Sequence, residues 1–251
     1  MISKETVGKI KASTCAVGYS TVPGNILQEN PYSPFFKVVG SAFLVRPTTA
    51  ITNRHVIEGL LQAQASLGFP DAQRYLSFQF PERTGMGLLR LYIRAASVFR
   101  EVNQEEPFRL DVGFLEFDRP KDEPAFEQCR PVVLAEDPIV HVTEEIAVCG
   151  YPYGTNLLHI DHRIYRHGPV IQSGHISAVA PYETWDAPTE LLLDVRTAAG
   201  MSGSPVFRPN GTVIGLHWGG WEATTAMAVP LTREYVEHWL HQFDKGLGPQ
   251  P

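Results

Sequence analysis

Three short segments carry the side-chain types that acyl transfer requires. They read ITNRHV around His55, LDVGFL around Asp111 and AGMSGSPV around Ser202, and each functional side chain stands at the edge of an apolar run. A serine hydroxyl is a weak nucleophile until a base takes its proton, and imidazole can do so near neutral pH. A carboxylate behind the imidazole fixes its tautomer and stabilises the imidazolium. The three segments together therefore indicate nucleophilic catalysis by serine.

The glycines beside Ser202 strengthen this interpretation. Gly200 and Gly203 allow the loop to turn its backbone N–H groups inward. Two such donors can hold the oxyanion that develops during acyl transfer, and loss of one donor costs about 2.7–4 kcal/mol of transition-state stabilisation. Each segment alone also fits an ordinary structural role, such as a buried histidine, a strand-edge carboxylate or a hairpin loop. The combination in this chain order is what favours catalysis.

An α/β-hydrolase arrangement of the same side chains is disfavoured. That fold needs Gly-x-Ser-x-Gly on a strand-to-helix turn, with the acid and the histidine after the serine. Here the residue two after Ser202 is Ser204, and Pro205 opens a β-type run. Although histidines follow Ser202, the acid available to them, Asp244, lies near the end of the chain.

The elements that position these residues are predicted to be short strands. Runs rich in β-branched and aromatic residues alternate with Gly, Pro and Asn, and such spacing is typical of a β-barrel or sandwich. The predicted strands are Thr14–Tyr19, Lys37–Val45, Tyr75–Phe80, Leu88–Arg94, Val112–Phe117, Glu145–Gly150, Leu191–Val195, Val206–Phe207, Thr212–His217 and Thr225–Val229.

A helix is predicted at the C-terminal end, with Thr232 as its N-cap. Val236, Trp239, Leu240 and Phe243 recur at helical spacing and form an apolar stripe.

Composition narrows the function classes. The chain has 251 residues, 43% hydrophobic and 19% charged, with a formal charge of −6, which argues against nucleic acid as a partner. Three widely spaced cysteines form neither a disulfide framework nor a metal motif, and no long apolar run or signal-peptide core is present. We therefore expect a cytoplasmic protein with no membrane partner and no cofactor.

With these motifs in view, the chain resembles trypsin-like serine peptidases of the chymotrypsin superfamily, and most of all bacterial glutamyl endopeptidases and Deg-type proteases. TNRHV, DVGFLEF and GMSGSPVF carry the resemblance. It implies His55 as general base, Asp111 as its orienting carboxylate and Ser202 as nucleophile. It also implies an oxyanion hole formed by the backbone N–H groups of Gly200 and Ser202.

The resemblance implies an all-β fold of two six-stranded antiparallel barrels with a C-terminal helix. Within one peptidase domain, the expected boundaries are 14–118 for the N-terminal barrel, 119–141 for a connector, 142–231 for the C-terminal barrel, 232–243 for the helix and 244–251 for a tail.

Specificity follows from the same resemblance. The segment VIGLHWGG is similar to the pocket strand of glutamyl endopeptidases and supplies His217, while Thr197 lies five residues before Ser202. Both side chains can donate to a carboxylate, and Arg196 adds positive charge if it points inward. A preference for Glu or Asp before the scissile bond is one expectation. The residues Trp218, Gly219 and Gly220 are expected to pair with the substrate main chain.

Departures from the family keep other hypotheses open. Val56 stands where digestive trypsins have a disulfide cysteine, and Met201 replaces the acid that pairs with a newly cut N-terminus. Activation by cleavage is therefore not expected. The alternatives are a latent protease that an activating protein partner switches on, or a catalytically idle peptide-binding protein on the same fold.

Three further features are given structural interpretations. His159, His162 and His167 could suggest zinc, but they lack helical i, i+4 spacing, and no metal site is predicted. The cysteines are expected to be buried small hydrophobes. Trp185 and Trp221 are expected to pack in the core.

Overall fold

The computed structural model describes residues 1–22, 36–67, 74–82, 85–98, 111–118, 124–137, 139–152, 154, 157–160, 163–166, 168–181, 188–221 and 225–245. Four parts of the sequence considered above fall outside these ranges: His162, His167, Trp185 and the tail after residue 245. The side chains of His159 and Trp221 are outside them as well.

The N-terminal half forms a closed antiparallel barrel. Its strand order is β1-β2-β3-β6-β5-β4, so the first strand pairs with both the second and the fourth. The interior is filled by apolar side chains such as Phe78, Phe117 and Phe126, and the Phe126 ring packs edge to face with each of the other two. The strands are β1 (Thr14–Ser20), β2 (Phe36–Arg46), β3 (Thr49–Thr52), β4 (Arg74–Glu82), β5 (Gly85–Val98) and β6 (Gly113–Phe117).

The C-terminal half forms a second barrel. Its order is β13-β8-β11-β12-β15-β14, and the pairing of β13 with β14 closes the six strands. A short seventh strand, β7, adds to β14 in parallel, and β9 and β10 form a separate hairpin. The strands are β7 (Val133–Leu134), β8 (Glu145–Gly150), β9 (Leu157–Ile160), β10 (Arg163–Arg166), β11 (Val170–Ala180), β12 (Glu190–Leu193), β13 (Pro205–Phe207), β14 (Thr212–Trp221) and β15 (Thr225–Pro230).

This architecture confirms the predicted pair of six-stranded antiparallel barrels with a C-terminal helix. The predicted strand Glu145–Gly150 has the same bounds in the structure, whereas Val170–Ala180 was not predicted. Its first half carries polar side chains and is partly exposed, so it lacks the apolar signature of a strand.

Three α-helices and one 3₁₀-helix complete the described elements: α1 (Lys4–Ser13), α2 (Arg54–Ser66), α3 (Arg233–Asp244) and the 3₁₀-helix Pro124–Gln128. In α3 the Thr232 hydroxyl accepts the Tyr235 N–H at 3.2 Å, which confirms the predicted N-cap. The sequence did not predict α1 or α2, and His55 belongs to the first turn of α2 rather than to a strand edge. None of the described helices has the length and apolar character needed to cross a membrane.

A shared apolar core joins the two barrels. Phe43 and Phe114 from the first barrel meet Phe207 and Leu216 from the second, and the apolar face of α3 packs against the same cluster through Val236. Burial of this surface fixes the barrels against each other, since apolar area removed from water stabilises at about 25 cal/mol per Å².

Candidate active site

Strand pairing brings His55 and Asp111 together. In the antiparallel pair β3–β6, Thr52 lies opposite Gly113, so the end of β3 meets the start of β6. His55 follows β3 by three residues and Asp111 precedes Gly113 by two. Asn53 strengthens the junction, because its side-chain amide donates to the Asp111 carbonyl at 2.9 Å.

The Asp111 carboxylate holds His55 at two points. One oxygen, Oδ2, lies 2.6 Å from the His55 ring nitrogen Nδ1, and the other, Oδ1, accepts the His55 backbone N–H at 3.0 Å. Because a carboxylate oxygen can only accept, Nδ1 carries the proton and Nε2 presents a lone pair. The ring is about half exposed, while the Asp111 side chain is largely buried.

Ser202 lies on a loop shaped by two glycines with positive φ. The Met201 N–H donates to the Ala198 carbonyl at 3.1 Å, which closes a turn with Gly200 at its third position and φ of 96°. That position of a type II turn needs positive φ, which favours glycine. Gly203 has φ of 89°, and a Cβ there would overlap the Ser41 carbonyl oxygen.

Ser41 on β2 anchors this loop. Its backbone N–H donates to the Ser202 carbonyl at 2.7 Å, and its hydroxyl donates to the Gly200 carbonyl at 2.7 Å. The same hydroxyl oxygen accepts the Tyr151 N–H at 3.0 Å, and the Ser41 carbonyl accepts the Thr52 hydroxyl at 2.7 Å. Ser41 is fully buried, so these bonds satisfy all of its polar groups.

Sequence reasoning missed Ser41, although the residue lies within the predicted strand Lys37–Val45. The available signal was a lone hydroxyl within an apolar strand, GSAFLV, where a buried polar group must find partners.

Gly200 and Ser202 differ from the rest of the loop in how their backbone groups are bonded. The Gly200 and Ser202 carbonyls are both bonded to Ser41, whereas the N–H groups of these two residues donate to no carbonyl among the described residues. These two N–H groups, with one residue between them, are therefore the donors to consider for an acceptor that the chain itself does not supply.

Gly40 marks where the histidine helix and the serine loop approach each other. A Cβ at Gly40 would lie 2.7 Å from the Val56 side chain and 3.0 Å from the Ser202 carbonyl oxygen. His55, next to Val56, is thereby on the segment adjoining Ser202. The Ser202 hydroxyl, however, donates to the Trp218 carbonyl at 3.1 Å, and no hydrogen bond joins it to His55 in the described part of the chain.

The predicted pocket residues fall on facing segments. Thr197 precedes the serine loop. A Cβ at Gly220 on β14 would lie 2.8 Å from the Thr197 hydroxyl oxygen, so Thr197 and Gly220 are adjacent in the structure. Gly219 lies between Trp218 and Gly220 on the same strand. Arg196 has an exposed side chain and contributes no buried positive charge.

His217 is the buried member of this pocket. Its Nδ1 lies 2.9 Å from the Met227 carbonyl and therefore carries a proton, which leaves Nε2 without one in the neutral ring. Burial lowers the pKa of His217 from 6.5 to about 4, the Met227 hydrogen bond opposes this, and His55 lowers it further. The ring is thus neutral at pH 7, and it lacks the Nε2 proton that the predicted donation to a carboxylate would use.

The other candidate groups are structural. Cys15, Cys129 and Cys149 are buried, as predicted, and form no disulfide, and burial raises the pKa of Cys149 to about 12. Such thiols remain protonated and unreactive. No group of three or more His, Cys, Asp or Glu side chains able to hold a metal is found among the described residues.

Comparison with known proteins gives a family match and several structural neighbours. A family model described as the trypsin-like peptidase domain matches residues 40–216. No curated protein sequence matches the chain. The active form of the Rv3671c protease from M. tuberculosis is similar in structure, with a TM-score of 0.55 and 19% identity over 98% of this chain and 86% of that one.

Two further neighbours are proteases of the Deg and HtrA type. Deg5 gives a TM-score of 0.59 at 16% identity, covering 93% of this chain and 90% of its own. The HtrA-type protease AlgW, solved with a decapeptide, gives 0.58 at 14% identity, covering 96% of this chain and 66% of its own. At these identities the likeness concerns the fold.

Proposed function

Because the chain belongs to the trypsin-like peptidase family, we propose that it is a serine endopeptidase that hydrolyses peptide bonds through an acyl-enzyme. The observation that carries the proposal is the pair of contacts between Asp111 and His55: Oδ2 lies 2.6 Å from Nδ1, and Oδ1 accepts the backbone N–H at 3.0 Å. These contacts fix the tautomer in which Nε2 can accept a proton. A catalytically idle binding protein would have no need of this arrangement.

Each residue has a defined role in the proposed reaction. Ser202 Oγ bonds to the carbonyl carbon of the substrate as its proton passes to His55 Nε2. The carbonyl oxygen becomes an oxyanion, for which the Gly200 and Ser202 N–H groups are the proposed donors. His55 then protonates the leaving amine as the peptide C–N bond breaks. Water, deprotonated by His55, releases the acyl group and restores the Ser202 hydroxyl.

The hydroxyl must change its hydrogen-bond acceptor before it attacks. It donates to the Trp218 carbonyl, so proton transfer to His55 requires rotation about the Ser202 Cα–Cβ bond. Catalytic hydrogen bonds commonly tighten only in the substrate complex. The bonded turn at Gly200 supports a loop that is ordered without a partner.

A second candidate, a partner-activated protease, is favoured by that same Trp218 contact. In it, an activating protein would be needed to move the hydroxyl to His55. Turnover of peptides by the purified chain alone separates the two, because the partner-activated form would cleave nothing until its partner is added.

Acid specificity is the finer part of the proposal. Thr197 can donate to a substrate carboxylate, but neutral His217 has no proton on Nε2 to offer. A carboxylate that enters the pocket favours the imidazolium, which would donate through Nε2 while Nδ1 stays on Met227. We therefore propose that any preference for Glu strengthens as pH falls from 8 toward 6.

Peptides that differ only in the residue before the scissile bond test both parts. The proposal expects cleavage by the wild type and none by Ser202→Ala, with the Glu/Gln ratio of kcat/KM higher at pH 6 than at pH 8. His217→Gln should remove that pH dependence. If peptides with Glu before the scissile bond are cut no faster than those with Leu or Ala, the acid-specificity proposal is wrong. If folded wild-type protein cleaves no peptide, the proposal of a constitutively active endopeptidase is contradicted.

A further inference from the structure

Trp218 lies at an irregularity of β14 directly beside Ser202. The register of β14 against β15 shifts between His217 and Gly219, so Trp218 has no Cα partner on β15. Such bulges re-aim a side chain and often lie next to active sites. Here the bulge turns the Trp218 carbonyl to Ser202 Oγ, 3.1 Å away.

The indole of Trp218 is held by a carboxyl group on a neighbouring strand. Its Nε1–H donates to Glu190 Oε1 at 2.6 Å, a short distance typical of a charge-assisted bond. Glu190 opens β12 and pairs through its backbone with Ala180 on β11, so the acceptor stands on the second barrel's sheet. One side-chain bond therefore restrains the bulge that faces the nucleophile.

Glu190 also lies within the electrostatic reach of Asp111. Burial raises the pKa of Glu190 from 4.5 to about 7, the Trp218 hydrogen bond lowers it, and the charge of Asp111 raises it. Asp111 is the group of the first barrel whose charge acts on Glu190. Its partner on β11, Ala180, carries no charge.

We propose that Glu190 is a positioning residue of the active site, which anchors the Trp218 indole and so holds the Trp218 carbonyl and the edge of β14 toward Ser202. The catalytic consequences rest on the proposed function. The anchoring of the indole is a property of the folded chain alone.

The conservative variant at Glu190 tests whether a hydrogen-bond acceptor at this position is sufficient. Glu190→Gln removes the charge and retains an oxygen that accepts the indole N–H. We expect the KM of Glu190→Gln to stay closer to that of the wild type than the KM of Glu190→Ala does.

Two further variants remove the anchor from either side. Glu190→Ala removes the acceptor and should raise KM several-fold, because the edge of β14 that is expected to pair with substrate loses its restraint. Trp218→Phe removes the donor and should raise KM in the same way. Glu136→Gln, on an exposed carboxylate paired with Arg233, is the control and should match the wild type.

A measurement without catalysis completes the test. In ¹⁵N-labelled Ser202→Ala protein, the chain's four tryptophans give four indole N–H signals, and Trp218→Phe identifies that of Trp218. This signal should titrate with a midpoint near pH 7, and Glu190→Gln should abolish the titration.

The outcomes distinguish the two proposals. A Trp218 signal that does not move between pH 5 and 9, or that titrates equally in Glu190→Gln, overturns the role of Glu190 whether or not the protein is active. An active enzyme whose KM is the same in Glu190→Ala and wild type overturns the positioning role. A titrating indole in a protein that cleaves no peptide supports the anchoring and contradicts the proposed endopeptidase.

Discussion

The buried imidazole of His217 should make the stability of this protein fall steeply in weak acid. The side chain is 2% exposed and bonded through Nδ1 to Met227. Its pKa, lowered from 6.5 to about 4 mainly by burial, means that the folded chain resists protonation at a pH where the unfolded chain accepts it.

The size and direction of the effect follow from proton linkage. Between pH 6.5 and 4 the unfolded state binds one more proton at this site, so the free energy of unfolding decreases as pH falls. Each pH unit contributes about 1.4 kcal/mol, which gives a total of ~3 kcal/mol. Above pH 6.5 the imidazole is neutral in both states and contributes no slope. That loss is a large share of the 5–15 kcal/mol, roughly, by which domains are stable.

Urea unfolding of Ser202→Ala protein at half-unit steps from pH 7.5 to 4 measures this slope without self-cleavage. His217→Gln in the same background removes the titrating group, and its free energy of unfolding should fall by ~3 kcal/mol less over the range. His238→Gln is the matched control, because His238 is exposed on α3. Equal slopes in the His217→Gln and parent proteins would refute the argument that burial sets this pKa.

Three further predictions follow from the geometry. Asp111→Asn should lower kcat by about 10⁴-fold with little change in folding, because an amide there favours the wrong His55 tautomer; steady-state kinetics and circular dichroism check this. Ser41→Ala should lower kcat on the order of 10²-fold, because the Gly200 carbonyl loses its hydrogen-bond donor and the turn that presents the proposed oxyanion donors is no longer restrained. Gly203→Ala should destabilise the fold by about 3 kcal/mol in urea unfolding, because its φ is 89° and a Cβ would overlap Ser41.

Controls for these predictions exist in the same chain. A Cβ at Gly59, within α2, meets nothing within 4 Å, so Gly59→Ala should stabilise by about 0.5–1 kcal/mol. If Gly203→Ala were as stable as Gly59→Ala, the steric argument would be wrong. A Ser41→Ala enzyme with wild-type kcat would show that the Gly200 carbonyl needs no anchor, and an Asp111→Asn enzyme of full activity would remove the basis for the His55 tautomer.

The barrels could be predicted because their strands carry a local signature. Strand β8, Glu145–Gly150, is apolar and almost wholly buried, and its bounds were predicted from the sequence. Strand β11 was not predicted, because the polar residues on its exposed face obscure the apolar signature of a strand. Helix α2 was missed because its start, Arg54–His55–Val56, continues an apolar strand run, and its helical identity depends on packing against the first barrel through Ile57 and Leu60.

The candidate site, like the fold, could be predicted where the signal is local in the sequence and not where it depends on tertiary contacts. The sequence order of His55, Asp111 and Ser202 predicted that these residues belong to one site, and the register of β3 on β6 explains how the first two meet. Ser41 and Glu190 were missed because their partners lie far along the chain, at Gly200 and Trp218. The state of His217 was also unpredictable, since it depends on a carbonyl of β15.

The most direct test of the central claim is covalent labelling of the nucleophile. Purified wild-type protein, Ser202→Ala and Asp111→Asn are treated with a fluorophosphonate, digested, and mapped by mass spectrometry. The mechanism predicts one phosphonylated serine, Ser202, in the wild type, no adduct in Ser202→Ala, and labelling of Asp111→Asn slowed by orders of magnitude. An unlabelled Ser202 in folded wild-type protein, or an adduct on another serine at the same rate in Ser202→Ala, would contradict it.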